Sequence, residues 1–199
     1  MYYREVEDLT VFVLAGGKST RMGSEKALLP WGKQTLLERV LGIAKTLSPE
    51  VLIVGNTAKF SSYGAVVEDV FRERGPLGGI HAALQASATD LNLILAVDLP
   101  LVEPKPLKHL VTQARATTAI VTVPHCGGWQ PLCAVYRREF LGFAEQSLHQ
   151  GRNKIDDLFS QVQTRVIEGR ELAKLGFSAK MFQNVNTPKD LEKASKASS

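Results

Sequence analysis

The sequence predicts an α/β fold built on a largely parallel sheet, and three observations predict it. Short apolar runs alternate with segments of helical periodicity. The strongest run, Leu91–Val97 (LNLILAV), is apolar almost throughout, as in a strand covered on both faces. Glycines, polar residues or acids stand directly after the strands. In order, Thr10–Leu14 (TVFVL) is a β-branched strand ending at Ala15-Gly16-Gly17, and Gln34–Thr46 has the apolar spacing of a helix. Val51–Val54 is a second strand, closed by Gly55-Asn56, and Ala65–Glu68 a short third. Gly79–Ala88 reads as a helix, Leu91–Val97 as a strand stopped by Asp98-Leu99-Pro100, and Pro106–Arg115 as a helix. Ala119–Val123 and Leu132–Tyr136 are further strands. Phe140–Gln150 and Asn153–Phe159 are helical, Gln163–Ile167 is a late strand, and Pro188–Lys196 a terminal helix with a frayed, Ser-rich end. Parallel strands joined by right-handed crossovers bind ligands outside their carboxyl ends. Ala15-Gly16-Gly17, Gly55-Asn56, Glu68-Asp69 and Asp98 are therefore predicted to share one edge of the sheet.

Bulk properties narrow the function. A chain of 199 residues suits one domain with a core that needs no disulfide. The start, MYYREVEDLT, lacks the apolar stretch of a signal peptide, and no apolar run has the length of a membrane span. The expectation is a cytoplasmic protein with no membrane association. A net charge of +4 suits either an ordinary solvated surface or an anionic ligand. The Lys and Arg residues form no block of five or more and there is no stripe of base-stacking aromatics, so nucleic acid is not an expected partner. Cys126 and Cys133 match no zinc spacing and read as free thiols. His81, His109, His125 and His149 are scattered, with no pair at i, i+4.

The chemistry concentrates in Leu14–Gly32 (LAGGKSTRMGSEKALLPWG), after the first strand. Gly16-Gly17 lets the backbone approach a phosphate and aim N–H groups at it. Lys18, Arg21 and Lys26 follow as spaced cations, with Gly23 a second flexible point. This is not a Walker A loop. That motif requires glycine where Phe12 stands, inside the strand, so Lys18 is not a P-loop lysine. The G-x-G-x-x-G fingerprint is also absent. A tight strand-to-helix turn with surface cations is the bland alternative; glycines and cations together favour phosphate binding.

This loop resembles that of the MobA-like nucleotidyltransferases, and more closely the molybdenum cofactor guanylyltransferases, with LAGG-x-S-x-R-M-G-x-x-K. The resemblance continues, in family order, through IVGN (Ile53–Asn56), VVED (Val66–Asp69), GPLGGI (Gly75–Ile80), AVDLP (Ala96–Pro100), QPLCAVY (Gln130–Tyr136) and NVNTPKDL (Asn184–Leu191). It implies a three-layer α/β/α sandwich of Rossmann type, one domain over residues 1–199, with 1–8 and 193–199 as frayed termini. Leu14, Ala15, Gly16 and Gly17 would contact the nucleotide through their backbone. Lys26 would grip its phosphates, Asn56 and Asp69 would meet the nucleoside, and Gly78 and Gly79 would lie near the base. Asp98 would bind Mg²⁺ as the metal ligand. Gln130, Pro131, Asn184 and Asn186 would face the acceptor. Glu25 stands where the family commonly has Asp, and His81 has no assigned role.

What the resemblance implies is transfer of GMP from GTP to the phosphate of molybdopterin, with pyrophosphate released. The partners would be these two substrates, with transient contacts to other proteins of molybdenum cofactor biosynthesis. A phosphate monoester is already ionised at neutral pH, so no general base is needed, and no Ser/His/Asp or Cys/His set is present. The need is to neutralise two converging polyanions, a task for Arg21, Lys26 and Mg²⁺ on Asp98. Asp98 also fits a turn-capping role before Pro100. LAGG together with GPLGG points to guanine over cytosine. The cations of Gly151-Arg152-Asn153-Lys154 suit a pterin phosphate or a solvated helix start equally. Other readings are a cytidylyl- or sugar-phosphate nucleotidyltransferase, or a nucleotide-binding accessory protein without turnover.

Overall fold

The computed structural model describes residues 8–16, 26–71, 73–185 and 190–191. Among them, β1 (Leu9–Leu14), β4 (Val51–Val54), β5 (Val66–Val67), β6 (Leu91–Ala96), β7 (Val121–His125), β8 (Cys133–Arg137) and β9 (Thr164–Glu168) form one sheet in the order β5-β4-β1-β6-β8-β7-β9. Every pairing is parallel except those of β8, which runs antiparallel between β6 and β7. The sheet is thus mainly parallel, as the alternating pattern predicts. A separate two-stranded hairpin pairs β2 (Pro30–Trp31) with β3 (Gln34–Thr35).

Strand alternation creates two cores, one on each face of the sheet. Leu9, Val11 and Val13 of β1 and Leu91, Leu93 and Leu95 of β6 face a layer made by α1 (Leu36–Ala44), α4 (Pro104–Arg115) and α6 (Gly169–Lys174). Phe12, Leu14 and Ile94 face α3 (Pro76–Ala86) and α5 (Phe140–His149) on the other side. The result is an α/β/α sandwich. Asp8, placed by the sequence in a frayed terminus, is tied by the guanidinium of Arg115 at 2.6 Å.

The helix starts differ from the sequence pattern for local reasons. Helix α1 begins at Leu36, because Gln34 and Thr35 pair with the preceding strand and Thr35 caps the helix. The Thr35 hydroxyl oxygen accepts from Glu38 N–H (3.2 Å) while Glu38 accepts from Thr35 N–H (2.7 Å), a reciprocal capping box. Helix α3 begins at Pro76, ahead of Gly78-Gly79, and α4 at Pro104. A proline in the first turn gives up an N–H that has no helical partner. Only a single 3₁₀ turn, Asp156–Leu158, forms within the segment 153–159. Short α2 (Thr57–Phe60) and α6 carry too few residues to announce a period. Of the expected terminal helix only Asp190 and Leu191 are described, and both are helical.

His81 lies on α3, 1% exposed, and is a packing residue. Its ring meets Phe71 edge-on at 4.8 Å, and its Nδ1 has no hydrogen-bond partner among the described residues. Burial pushes its pKa below the ordinary 6.5, with Glu145 and Asp69 pulling it back and His149 adding to the depression. A histidine held neutral in this way contributes stability above its unfolded pKa, and that stability is lost as pH falls. The thermal midpoint is therefore expected to fall between about pH 7.5 and about pH 5.5, and His81→Phe should flatten that slope. Equal slopes for the two proteins, measured by calorimetry, would contradict the account.

Candidate active site

The register of three parallel strands builds the site. Leu14 pairs with Val54 on one side and Ala96 on the other, and Val54 pairs with Val67. Residues 15–16, 55–56, 68–69 and 97–98 consequently emerge on one edge. The chain leaves β1 toward β4 and β5 and then returns to β6 on the opposite flank, so β1 and β6 border the crevice where such sheets bind ligands.

Lys26 and Asp98 meet at this crevice. Lys26 Nζ donates to Asp98 Oδ2 at 2.7 Å, and each side chain is about one-fifth exposed. Lys26 opens a 3₁₀ turn, Lys26–Leu28, anchored by the buried Ala27 and followed by the β2–β3 hairpin. Asp98 sits in the turn after β6, where Val97 N–H donates to Leu14 O (3.1 Å) and Leu99 N–H to Ala96 O (3.3 Å). Arg39 of α1 donates from Nε to the carbonyl of Pro100 and lies over the Trp31 ring at 5.6 Å, joining the hairpin to the Asp98 turn. The second oxygen of Asp98, Oδ1, is buried and has no hydrogen-bond partner among the described residues. A buried carboxylate oxygen without a donor suits a cation, and Mg²⁺ is commonly held by one or two carboxylates, waters and substrate phosphates.

The residues expected to meet the nucleoside stand at the neighbouring strand ends. Asn56 caps α2, its Oδ1 accepting from Lys59 N–H at 3.2 Å, and Thr57 N–H donates to Glu68 at 3.0 Å. Asp69 is half-buried and accepts from Phe71 N–H at 2.8 Å. Desolvation raises its pKa, offset in part by that hydrogen bond and by His81. Gly78 and Gly79 are buried in the first turns of α3. A Cβ at Gly78 would stand 2.5 Å from Asp69 Oδ2, and one at Gly79 would stand 3.2 Å from Leu14 Cδ2. These glycines let the helix close against Asp69 and β1, a packing role that a base contact would have to share.

One sequence expectation changes. The N–H groups of Ala15 and Gly16 do not point at open space; both donate to Val54 O, at 2.9 and 3.2 Å. Parallel pairing with β4 continues past the end of β1 and takes up these donors. Gly17, Lys18, Arg21, Gly23 and Glu25 lie outside the described residues, as does Asn186.

A cavity of ≈ 150 Å³ adjoins the Asp98 turn, lined by Leu99, Trp129, Gln130, Pro131, Leu132 and Asn184. The residues read as the acceptor side, Gln130, Pro131 and Asn184, thus converge from two distant segments. Val185 N–H donates to Asp98 O (3.0 Å), Tyr136 Oη to Pro131 O (2.8 Å), and Ala96 N–H to Leu132 O (2.8 Å). Sequence reasoning missed Leu99, Leu132, Trp129 and Arg39. Trp129 was the legible one, standing between two glycines and Gln130-Pro131. Lys154 pairs with Asp157 at 2.8 Å and Arg152 with Gln150, so these cations bond within their own turns. Both cysteines are free, and burial pushes the Cys133 thiol up to about 12.

Comparison with known proteins gives a consistent result. A family described as MobA-like NTP transferase domain matches residues 11–166. A probable molybdenum cofactor guanylyltransferase of Carboxydothermus hydrogenoformans is 34% identical over 94% of this chain and 95% of its own length. A molybdenum cofactor guanylyltransferase of Desulfosudis oleivorans is 33% identical over 96% of each chain. The crystal structure of molybdopterin-guanine dinucleotide biosynthesis protein A from Archaeoglobus fulgidus superposes with a TM-score of 0.84 at 27% identity, covering 95% of this chain and 98% of that one.

The glycine packing yields a paired test. Gly78→Ala forces a methyl group against Asp69 and is expected to lower unfolding free energy by about 1–3 kcal/mol. Gly142→Ala, on an exposed turn of α5 where a Cβ meets nothing within 4 Å, should be neutral or stabilising by up to about 1 kcal/mol. Denaturant titration of both variants decides; equal stabilities would refute the close approach of Asp69.

Proposed function

This chain belongs to the MobA-like NTP transferase family, and on that premise we propose that it is a molybdenum cofactor guanylyltransferase. It transfers GMP from GTP to the terminal phosphate of molybdopterin, giving molybdopterin guanine dinucleotide and pyrophosphate. The observation that carries this reading is the junction at Asp98-Leu99. The Lys26–Asp98 pair lies on one side of it, and the cavity of Gln130, Pro131 and Asn184 on the other. A donor and an acceptor held there would meet at a phosphate.

In the reaction, an oxygen of the acceptor's phosphate attacks the α-phosphorus of GTP. The bond from that phosphorus to the bridging oxygen breaks, and pyrophosphate leaves with the electron pair. Lys26 passes from Asp98 to the phosphates, and Arg21 adds a second positive charge. Asn56 and Asp69 hold the nucleoside, and the backbone of Leu14, Ala15, Gly16 and Gly17 its base, with Gly78 and Gly79 beside it. Since the N–H groups of Ala15 and Gly16 serve Val54, these two residues present carbonyl acceptors. Guanine offers N–H donors on its pairing edge. Gln130, Pro131, Asn184 and Asn186 face the acceptor. Mg²⁺ on Asp98 Oδ1 would supply charge neutralisation between the two polyanions. Among the described residues no three His, Cys, Asp or Glu side chains converge, so substrate oxygens and water would complete its shell. Among the same residues, no helix is long and apolar enough to cross a membrane.

Purified protein given GTP, Mg²⁺ and molybdopterin is expected to release pyrophosphate, and CTP should not replace GTP. Preference for CTP would reassign the base, use of a sugar phosphate the acceptor, and no turnover with any acceptor would favour an accessory protein. Asp98→Ala is expected to lower turnover by at least about 10³-fold and to remove the Mg²⁺ dependence of GTP binding. A variant that keeps both properties would place Asp98 outside the reaction.

A further inference from the structure

The acceptor cavity has a wall that the family motifs do not contain. Trp129 follows Gly127 and Gly128, which hold φ values of 70° and 149°, and a β-bridge to His125 fixes its backbone. Its indole is braced edge-on by His125 at 4.8 Å and Phe159 at 5.1 Å. Phe159 is buried, so Trp129 is tied to the core although half-exposed itself. Rigid support of this kind pre-orders an aromatic side chain at the cavity at little entropic cost.

The rest of the cavity fits a flat heterocycle. Leu99, Pro131 and Leu132 give apolar contact, while Gln130 and Asn184 bring two carboxamides. Gln130 Nε2 donates to Gly128 O at 3.3 Å, which orients its amide. A pterin presents a planar ring with a ring N–H donor next to a carbonyl acceptor on one edge, the pattern a carboxamide matches with its own acceptor and donor. The cavity is smaller than those that enclose drug-sized ligands, so it suits one ring system and not a dinucleotide.

We propose that Trp129 is the stacking wall of a subsite for the acceptor's pterin ring, with the carboxamides of Gln130 and Asn184 reading its edge. The proposal rests on the guanylyltransferase reading for the identity of the acceptor. It adds a specificity-determining residue: Trp129 selects flat aromatic acceptors over sugar phosphates, which lack a π face. Trp129 lines the same cavity as Leu99, the residue that follows Asp98.

The test is calorimetric titration of 6-hydroxymethylpterin phosphate into wild type, Trp129→Phe and Trp129→Leu, with GTP titrated in parallel. Leucine keeps apolar bulk without a π face, so it separates stacking from filling. Trp129→Phe is expected within about threefold of wild type, and Trp129→Leu weaker by about tenfold or more. GTP affinity should stay unchanged in both. Wild-type affinity in the leucine variant, equal losses in both variants, or a matching loss of GTP affinity would overturn the proposal, as would failure of wild type to bind the pterin. Circular dichroism of each variant guards against misfolding, and quenching of Trp129 emission by the pterin in Trp31→Phe protein provides a second readout. An unquenched Trp129 also overturns it. Pyrophosphate release by wild type with GTP and molybdopterin is scored separately. No release with pterin affinity intact removes the guanylyltransferase reading, whereas release with Trp129-independent pterin affinity removes the stacking wall.

Discussion

Leu14 is paired on both flanks, to a strand that ends at Val54 and to one that ends at Ala96, and the site depends on this shared register. Strands that stop level must release their next residues at a common edge. Lys26 meets Asp98 at that edge, and Asp69 meets Gly78 because β5 stops level with β4. A shift of β6 by one residue would send its apolar faces to the wrong layers and turn the Asp98 end away from Lys26. The two cores therefore protect the site's geometry as well as the fold.

The antiparallel strand β8 has a different consequence. It lies between β6 and β7 and runs against both, so the segment entering it, Gln130–Leu132, arrives at the edge where β6 ends. A parallel strand in that slot would bring its exit there instead. Tyr136, buried within β8, reaches back with its hydroxyl to the Pro131 carbonyl and fixes this entry. Reversing one strand thus places the cavity lined by Gln130, Pro131 and Leu132 beside the crevice at Asp98.

Much of the fold was legible because its signals are local and periodic. Apolar runs such as LNLILAV mark strands, and the register follows from the residues that punctuate them. The direction of β8 was not legible, since an apolar pentapeptide reads the same either way. Helix α3 was half hidden: glycine lowers helix propensity, yet Gly78 and Gly79 are required there by contacts with Asp69 and Leu14 that lie far off in sequence. In the site, Lys26 and Asp98 carried recognisable motifs, and their meeting is a tertiary fact. The N–H of Gly16 bonds to Val54 O of β4, a tertiary partner that a glycine pair in the sequence does not announce. Arg39 left no trace in the sequence, being one helix cation among many.

The hydrogen bond from Val185 to Asp98 ties the last part of the chain to its middle. As the polypeptide emerges during synthesis, Lys26, Asp69 and Asp98 are all out before Gln130 appears, and Asn184 arrives later still. The residues proposed to hold the nucleotide are thus all made before those proposed to face an acceptor. Completion of the proposed acceptor side waits for Asn184, so the order of synthesis separates the two proposed halves of the site in time.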